Sequence, residues 1–396
     1  MRIGIDACTW SNRRGYGRFT RQIVSALVRR HPAHRFVLVV DGHTARECRF
    51  PSGADVRVVE TVEQPTKAAG ADGSRRFADL LRMSWAASRA RFDAFYFPAD
   101  YSFFPLLGRT PTAVTVHDAT SQSHPELLFS NLRARLFWQV KMRLAVRRAD
   151  RLVTVSNDAR RQIAAAFGRA EASITVVSEG PDPLFRPLAG DPAGEAIRAR
   201  YRLPARAPLI LYVGGISPHK NLQGLLRAAA LMQRQDTAPW HVVLVGDYLG
   251  DSFLGCYGEL VALVRELQIG ERVTFTGFVP DEDLLLLYNA ATMLVLPSLG
   301  EGFGLPVVEA MACGLPVAAS DRNSLPEVLG GAGLLFEPES DDAIAASMQR
   351  VLHEPGLAEA LRDRGLQRAQ AYSWDSGADS LMQVFEDLTK RAGVRL

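Results

Sequence analysis

The chain has 396 residues, 47% of them hydrophobic and 22% charged, with a formal net charge of +3. That length suits two domains of ordinary size, and the composition excludes a chain disordered throughout. The charge is too small to point to nucleic acid. Cys8, Cys48, Cys256 and Cys313 are too scattered for a zinc site or a disulfide framework, so they read as buried or free thiols of a reducing compartment.

The opening residues, Met1-Arg2-Ile3-Gly4-Ile5-Asp6, read as a strand broken by an acid and not as a leader with an apolar run. No segment approaches the roughly 20 apolar residues of a spanning helix. The expectation is a cytoplasmic protein. Arg14-Gly-Tyr-Gly-Arg-Phe-Thr20 follows the first strand and precedes a helix predicted over 20–30. It reads as a loop in which Gly15, Tyr16 and Gly17 either line a site, on the acceptor side, or make a plain turn. With Asp41 at the end of the second strand it half matches a dinucleotide fingerprint. Thr20 stands where the third glycine belongs, and 7–13 intervene, so a nicotinamide cofactor is the least favoured reading.

Strands are predicted at 2–5, 36–40, 56–59, 94–97, 112–115 and 152–155, with a polar, Gly/Ala-rich loop at 64–76. In Val114-Thr-Val-His-Asp118 the histidine directly follows a strand. His117 therefore faces a ligand, hydrogen-bonding a transferred sugar or an acceptor, or is a satisfied structural histidine. Asp118 orients it or caps the next segment. Over 131–151, Arg133, Arg135, Lys141, Arg143, Arg147, Arg148 and Arg151 lie beside Leu132, Leu136, Phe137, Trp138, Val140 and Leu144. A basic amphipathic helix of this kind either lies on anionic lipid at the inner face of a membrane or packs on the core with a solvated basic face.

Glu179-Gly-Pro-Asp-Pro-Leu-Phe-Arg-Pro187 cannot be regular structure, and a hinge is expected near 178–190. A second strand series follows at 209–213, 241–245, 273–276, 293–296, 316–319 and 333–336, with helical patterns between most members, such as 222–234. Two strand-helix series imply an α/β chain with two Rossmann-like parallel-sheet domains. The expected boundaries are 1–178, 179–372 and a final helical segment, 373–396.

Two segments of the second series carry chemistry. In Tyr212-Val-Gly-Gly-Ile-Ser-Pro-His-Lys-Asn221 a strand ends in Gly214 and Gly215, and Lys220 starts the next helix, a place to hold a phosphate. His219 is either a second phosphate contact or a solvated loop residue. In Glu301-Gly-Phe-Gly-Leu-Pro-Val-Val-Glu309 a carboxylate opens a glycine loop, Pro306 marks a helix start, and a second carboxylate follows within the helix. The first-turn N–H groups can face a diphosphate, Glu301 its sugar and Glu309 its ribose.

These segments, with Gly277-Phe-Val-Pro280, resemble in order the retaining glycosyltransferases of family 4, which have the GT-B fold. The resemblance implies two domains facing a cleft, a nucleotide-sugar donor on the second, an acceptor on the first, and neither metal nor cofactor. It implies that Lys220 contacts the donor phosphates and Glu309 the ribose. Glu301 contacts the sugar, with Phe303, Gly304 and Leu305 offering backbone N–H groups. Gly277, Phe278 and Val279 flank the base, and His117 approaches the transferred sugar. Many members have Arg where this chain has Gly215. The Pro-x-Lys-Asn turn resembles the mannosyltransferase branch and favours GDP-mannose, with transfer to a glycan or lipid-linked acceptor in surface polysaccharide synthesis. A UDP-sugar enzyme acting on a small metabolite, a related epimerase and a non-catalytic binding protein stay open.

Overall fold

The computed structural model describes residues 1–65, 76–129, 131–190, 194–235, 238–248 and 255–393. Most of the loop predicted at 64–76 lies outside the described residues. The chain divides into one unit of Met1–Glu179 with Ser373–Leu396, and a second of Gly180–Tyr372.

The first unit holds seven parallel strands: β1 (Arg2–Asp6), β2 (Arg35–Asp41), β3 (Ala54–Val59), β4 (Ala94–Phe97), β5 (Thr112–Thr115), β6 (Arg151–Thr154) and β7 (Ile174–Val176). Their order is β3-β2-β1-β4-β5-β6-β7. Central strands of a parallel sheet are covered on both faces, so they read as unbroken apolar runs. β4, Ala-Phe-Tyr-Phe, is buried at every position. The final helix, Trp374–Gly393, belongs to this unit. It lies along the helix Gly15–Arg30, with Trp374 edge-on to Phe19 and Arg30 in ion pairs with Asp375 and Asp379.

The second unit repeats the plan: β8 (Leu209–Val213), β9 (His241–Val245), β10 (Val273–Gly277), β11 (Met293–Leu296), β12 (Val317–Ser320) and β13 (Leu334–Phe336). The order is β10-β9-β8-β11-β12-β13, again parallel throughout. In both sheets the order reverses beside the first strand, and open α/β sheets take ligands at the carboxyl ends of strands flanking that reversal.

The structure adds to or departs from the sequence expectations at four points. β7 was not anticipated. Gly15, Tyr16 and Gly17 form no loop but the first turn of the helix Gly15–Arg30. A side chain at Gly17 would collide with the Asn12 carbonyl, so this glycine allows a backbone approach. Asp41 is no ribose-binding acid: it is fully buried, and its Oδ1 accepts from the N–H groups of His43 and Thr44 at the start of a short helix. On the helix Leu132–Arg148, Trp138 and Lys141 face inward, whereas Leu132, Leu136, Phe137, Val140 and Leu144 are exposed.

Candidate functional site

In the second unit the β8 and β11 strand ends carry the two segments singled out in the sequence. After β8 come Gly214 and Gly215, then a 3-10 turn, Pro218–Lys220. Asn221 closes the turn in the left-handed region (φ 52°), which Asn tolerates better than most residues, and its side-chain amide donates to the Pro338 carbonyl at 2.6 Å. This fixes the direction of Lys220. Its Nζ lies 2.7 Å from Glu301 Oε1, and both side chains are largely buried. Ser298 Oγ donates to the same carboxylate oxygen at 2.8 Å. The turn and the Glu301 loop are also joined by the Leu299 N–H, which donates to the His219 carbonyl at 2.8 Å.

Beyond Glu301 the chain turns through Gly304 (φ 93°) into the helix Leu305–Ala312, with Pro306 in its first turn. A β-carbon at Gly304 would sit 2.6 Å from Leu325 Cδ2, so both conformation and space require glycine. No side chain caps this helix and its first turn holds no acid. Its leading N–H groups therefore present partial positive charge beside Lys220 and Glu301. The fully buried Ser324 holds the loop from beneath, its Oγ 3.0 Å from the carbonyls of both Glu301 and Phe303. Phe303 itself is buried edge-on against Tyr372.

Glu309, in the same helix, is only 2% exposed and accepts from the Tyr288 hydroxyl at 3.0 Å. Burial first, and then the Glu309 charge, push the Cys313 thiol up to about 12. Along β8, β9 and β10 the strand ends carry Gly214, Gly246 and Gly277. A side chain on Gly246 would strike the Gly214 carbonyl. Gly277 (φ 73°) sits beside Tyr248, which stacks on Tyr257 with centroids 4.0 Å apart. Phe278 is exposed and Val279 buried. Sequence reasoning missed Gly246, Tyr248, Tyr288, Ser298 and Ser324.

In the first unit His117 is almost fully buried. Its Nε2 donates to the Pro98 carbonyl at 3.0 Å, and Nδ1 lies 3.8 Å from Glu179 Oε1. Both ring nitrogens therefore face acceptors of this chain. Tyr16 and Phe19 meet the ring edge-on at 4.9 and 4.7 Å. Burial works against a charged imidazole, but the Glu179 carboxylate, the Pro98 carbonyl and the Asp100 charge outweigh it, and the His117 pKa is raised. Burial pushes the Asp100 carboxyl up to about 6, against the opposing pull of Lys141 and His117. Asp118 closes a local turn: its Oδ1 accepts from the Thr120 N–H at 2.8 Å. The structure thus brings Tyr16 and His117 together, with Asp100 and Glu179 as partners that no local pattern announced. Gly15 and Gly17 serve the helix start. Among the described residues no group of three or more His, Cys, Asp or Glu side chains is arranged to hold a metal ion.

The geometry agrees with the comparisons. A family model described as glycosyl transferases group 1 matches residues 194–368, and one described as glycosyltransferase family 4 matches 13–183. The O-antigen chain mannosyltransferase B of Escherichia coli is 38% identical over 179 residues, 44% of this chain and 45% of that protein. The D-inositol 3-phosphate glycosyltransferase of Thermomonospora curvata is 37% identical over 244 residues, 60% of this chain and 57% of that protein. The chain spans about half the length of the curated relatives it matches. The structure of Anabaena HepE in complex with UDP-glucose has the same fold, with a TM-score of 0.74 at 19% identity over 97% of this chain and 99% of that one. Two α/β units with parallel sheets of seven and six strands are the GT-B class of fold. With one family model on most of each unit, and the two acids and the lysine held at the second unit's strand ends, the chain belongs to the family 4 glycosyltransferases.

Proposed function

We propose that this chain is a retaining hexosyltransferase that moves mannose from GDP-mannose to a glycan or lipid-linked acceptor in cell-surface polysaccharide synthesis. The observation that carries the reading is the Lys220–Glu301 pair at the sheet reversal, beside the uncapped helix start at Leu305. Lys220 and the first-turn N–H groups would take the donor diphosphate, and Gly214 and Gly215 would let it come close. Glu301 would hold the sugar, with the N–H groups of Phe303, Gly304 and Leu305 beside it. Glu309 would meet the ribose, and Gly277, Phe278 and Val279 the base. His117 would approach the transferred sugar, with Gly15, Tyr16, Gly17 and Asp118 on the acceptor side. As the sugar–phosphate bond lengthens, negative charge grows on the diphosphate, where lysine and helix dipole oppose it. The acceptor hydroxyl then attacks from the same face and passes its proton to the departing phosphate oxygen.

Mannose is favoured by the Pro218-His-Lys-Asn turn and by the name of the Escherichia coli relative. The inositol 3-phosphate glycosyltransferases favour a second reading, in which the acceptor is a small metabolite. Residues 131–151 are read as the segment that touches an anionic membrane. A thermal-shift panel of GDP-mannose, UDP-glucose and ADP-glucose tests the donor, since the right nucleotide stabilises the native state by mass action. NMR of the transferred sugar tests retention: an inverted anomeric centre overturns the mechanism.

A further inference from the structure

We infer that one face of the first unit, built from two helices rather than one, docks on a bilayer rich in anionic phospholipid. The inference rests on the proposed membrane contact of 131–151 and extends it to a second helix. On Leu132–Arg148 the apolar side chains Leu132, Leu136, Phe137, Val140 and Leu144 are exposed, Leu132 at 79%. They recur every three or four residues, one stripe along the helix. Arg133, Arg135, Arg143, Arg147 and Arg148 flank the stripe and are exposed too, and the helix contains no acid.

The helix Phe77–Ser88 carries a second stripe: Phe77, Leu81 and Trp85, spaced by four residues, are 73%, 47% and 56% exposed. Its single acid, Asp79, is buried and paired with Arg82, and Arg89 lies over the Trp85 ring at 4.5 Å. Phe77–Ser88 connects β3 to β4 and Leu132–Arg148 connects β5 to β6, in the same direction across the sheet order. Right-handed crossovers place two such helices on the same face of the sheet. The β4–β5 connection joins them. Its Leu107 N–H donates to Ser88 Oγ at 2.7 Å, and its Tyr101 carbonyl accepts from Lys141 Nζ at 3.0 Å. Leu107 is exposed as well. An apolar surface rimmed by arginine, with its acid withdrawn, is complementary to acyl chains beneath anionic headgroups and to no polar partner of either sign.

The test is co-sedimentation of the full chain with vesicles of equal parts phosphatidylcholine and phosphatidylglycerol, against phosphatidylcholine alone. Binding to the anionic vesicles only, weakened by salt, is expected. Leu136→Ser with Val140→Ser should weaken it about tenfold, as should Leu81→Ser with Trp85→Ser, since each pair removes a large inserted area. Arg143→Gln with Arg147→Gln, which leaves all apolar packing intact, should weaken it by a similar factor. Wild-type binding by the Leu81/Trp85 variant overturns the two-helix face and leaves the single helix standing. No binding to anionic vesicles overturns both, and so does self-association that the same substitutions abolish. The donor thermal shift is read on the same samples, so failure of the donor assignment shows separately.

Discussion

Lys220 and Glu301 are 81 residues apart in sequence and 2.7 Å apart in the structure, with side chains 15% and 14% exposed. Lys220→Met leaves the Glu301 carboxylate largely buried with, among the described residues, Ser298 as its neutral donor at 2.8 Å. Removing one partner of a fully buried pair costs about 3–5 kcal/mol, and an exposed pair contributes at most about 1. This pair lies between, and a loss of about 2 kcal/mol is expected in the second unit. Glu301→Gln in the same chain removes the stranded charge while keeping an acceptor for Ser298. The double variant should therefore lie within about 1 kcal/mol of wild type, a coupling of about 1–2 kcal/mol. Donor turnover should behave oppositely. It should fall about 10²- to 10³-fold in Lys220→Met and stay low in the double variant, because the cation proposed to face the diphosphate is gone in both. Hydrogen exchange of amides in β8 and β11 reads the second unit separately from the first, and release of nucleoside diphosphate reads turnover. A coupling below about 0.3 kcal/mol, or a double variant that regains turnover, would refute the reasoning.

Tyr288→Phe removes the donor at 3.0 Å from a carboxylate that is 2% exposed; exchange protection of the helix Leu305–Ala312 should fall by about 1–3 kcal/mol. Gly246→Ala drives a β-carbon against the Gly214 carbonyl, so the donor-induced thermal shift should vanish while exchange in the first unit is unchanged. Glu179→Gln should lower the His117 pKa, read by NMR titration of its ring proton, because the neighbouring carboxylate helps hold it up. A raised folded-state pKa makes this pair's contribution complete below the unfolded value of about 6.5 and lost as pH rises through the folded one. The stability difference between wild type and Glu179→Gln should therefore shrink across that window, and equal titration in both proteins would remove the account.

The parallel sheets were legible because a strand covered on both faces needs an unbroken apolar run, and β4, β9 and β11 have one. β7 was not, because Ile174-Thr-Val is three residues long at the sheet's edge, with a single buried position. The start at Gly15 was hidden by a preference: two glycines in four residues argue against a helix. Gly17 is there because the Asn12 carbonyl occupies the space of a side chain, and tertiary contact overrode local propensity.

The site divides along the same line. Glu301, Gly304, Pro306 and Glu309 belong to one loop and one helix, so their spacing alone exposes them. Tyr288, Ser324 and Gly246 reach the same place from other elements, and only the strand order brings them there; Ser298 lies in the Glu301 loop itself, but a lone serine there carries no pattern. Lys141 shows the difficulty most plainly. Helical periodicity allowed it on the solvated basic face, yet it points inward, 3.0 Å from the Tyr101 carbonyl and with Nζ 4.0 Å from the centre of the Trp138 ring. A carbonyl dipole and an aromatic face receive that cation, and the buried Asp100 carboxyl feels its charge. Turning Lys141 and Trp138 inward turns Leu136 and Val140 outward. A helix with apolar residues on two sides has no preferred face until a neighbour supplies the polar partner, and here that neighbour is the segment following β4.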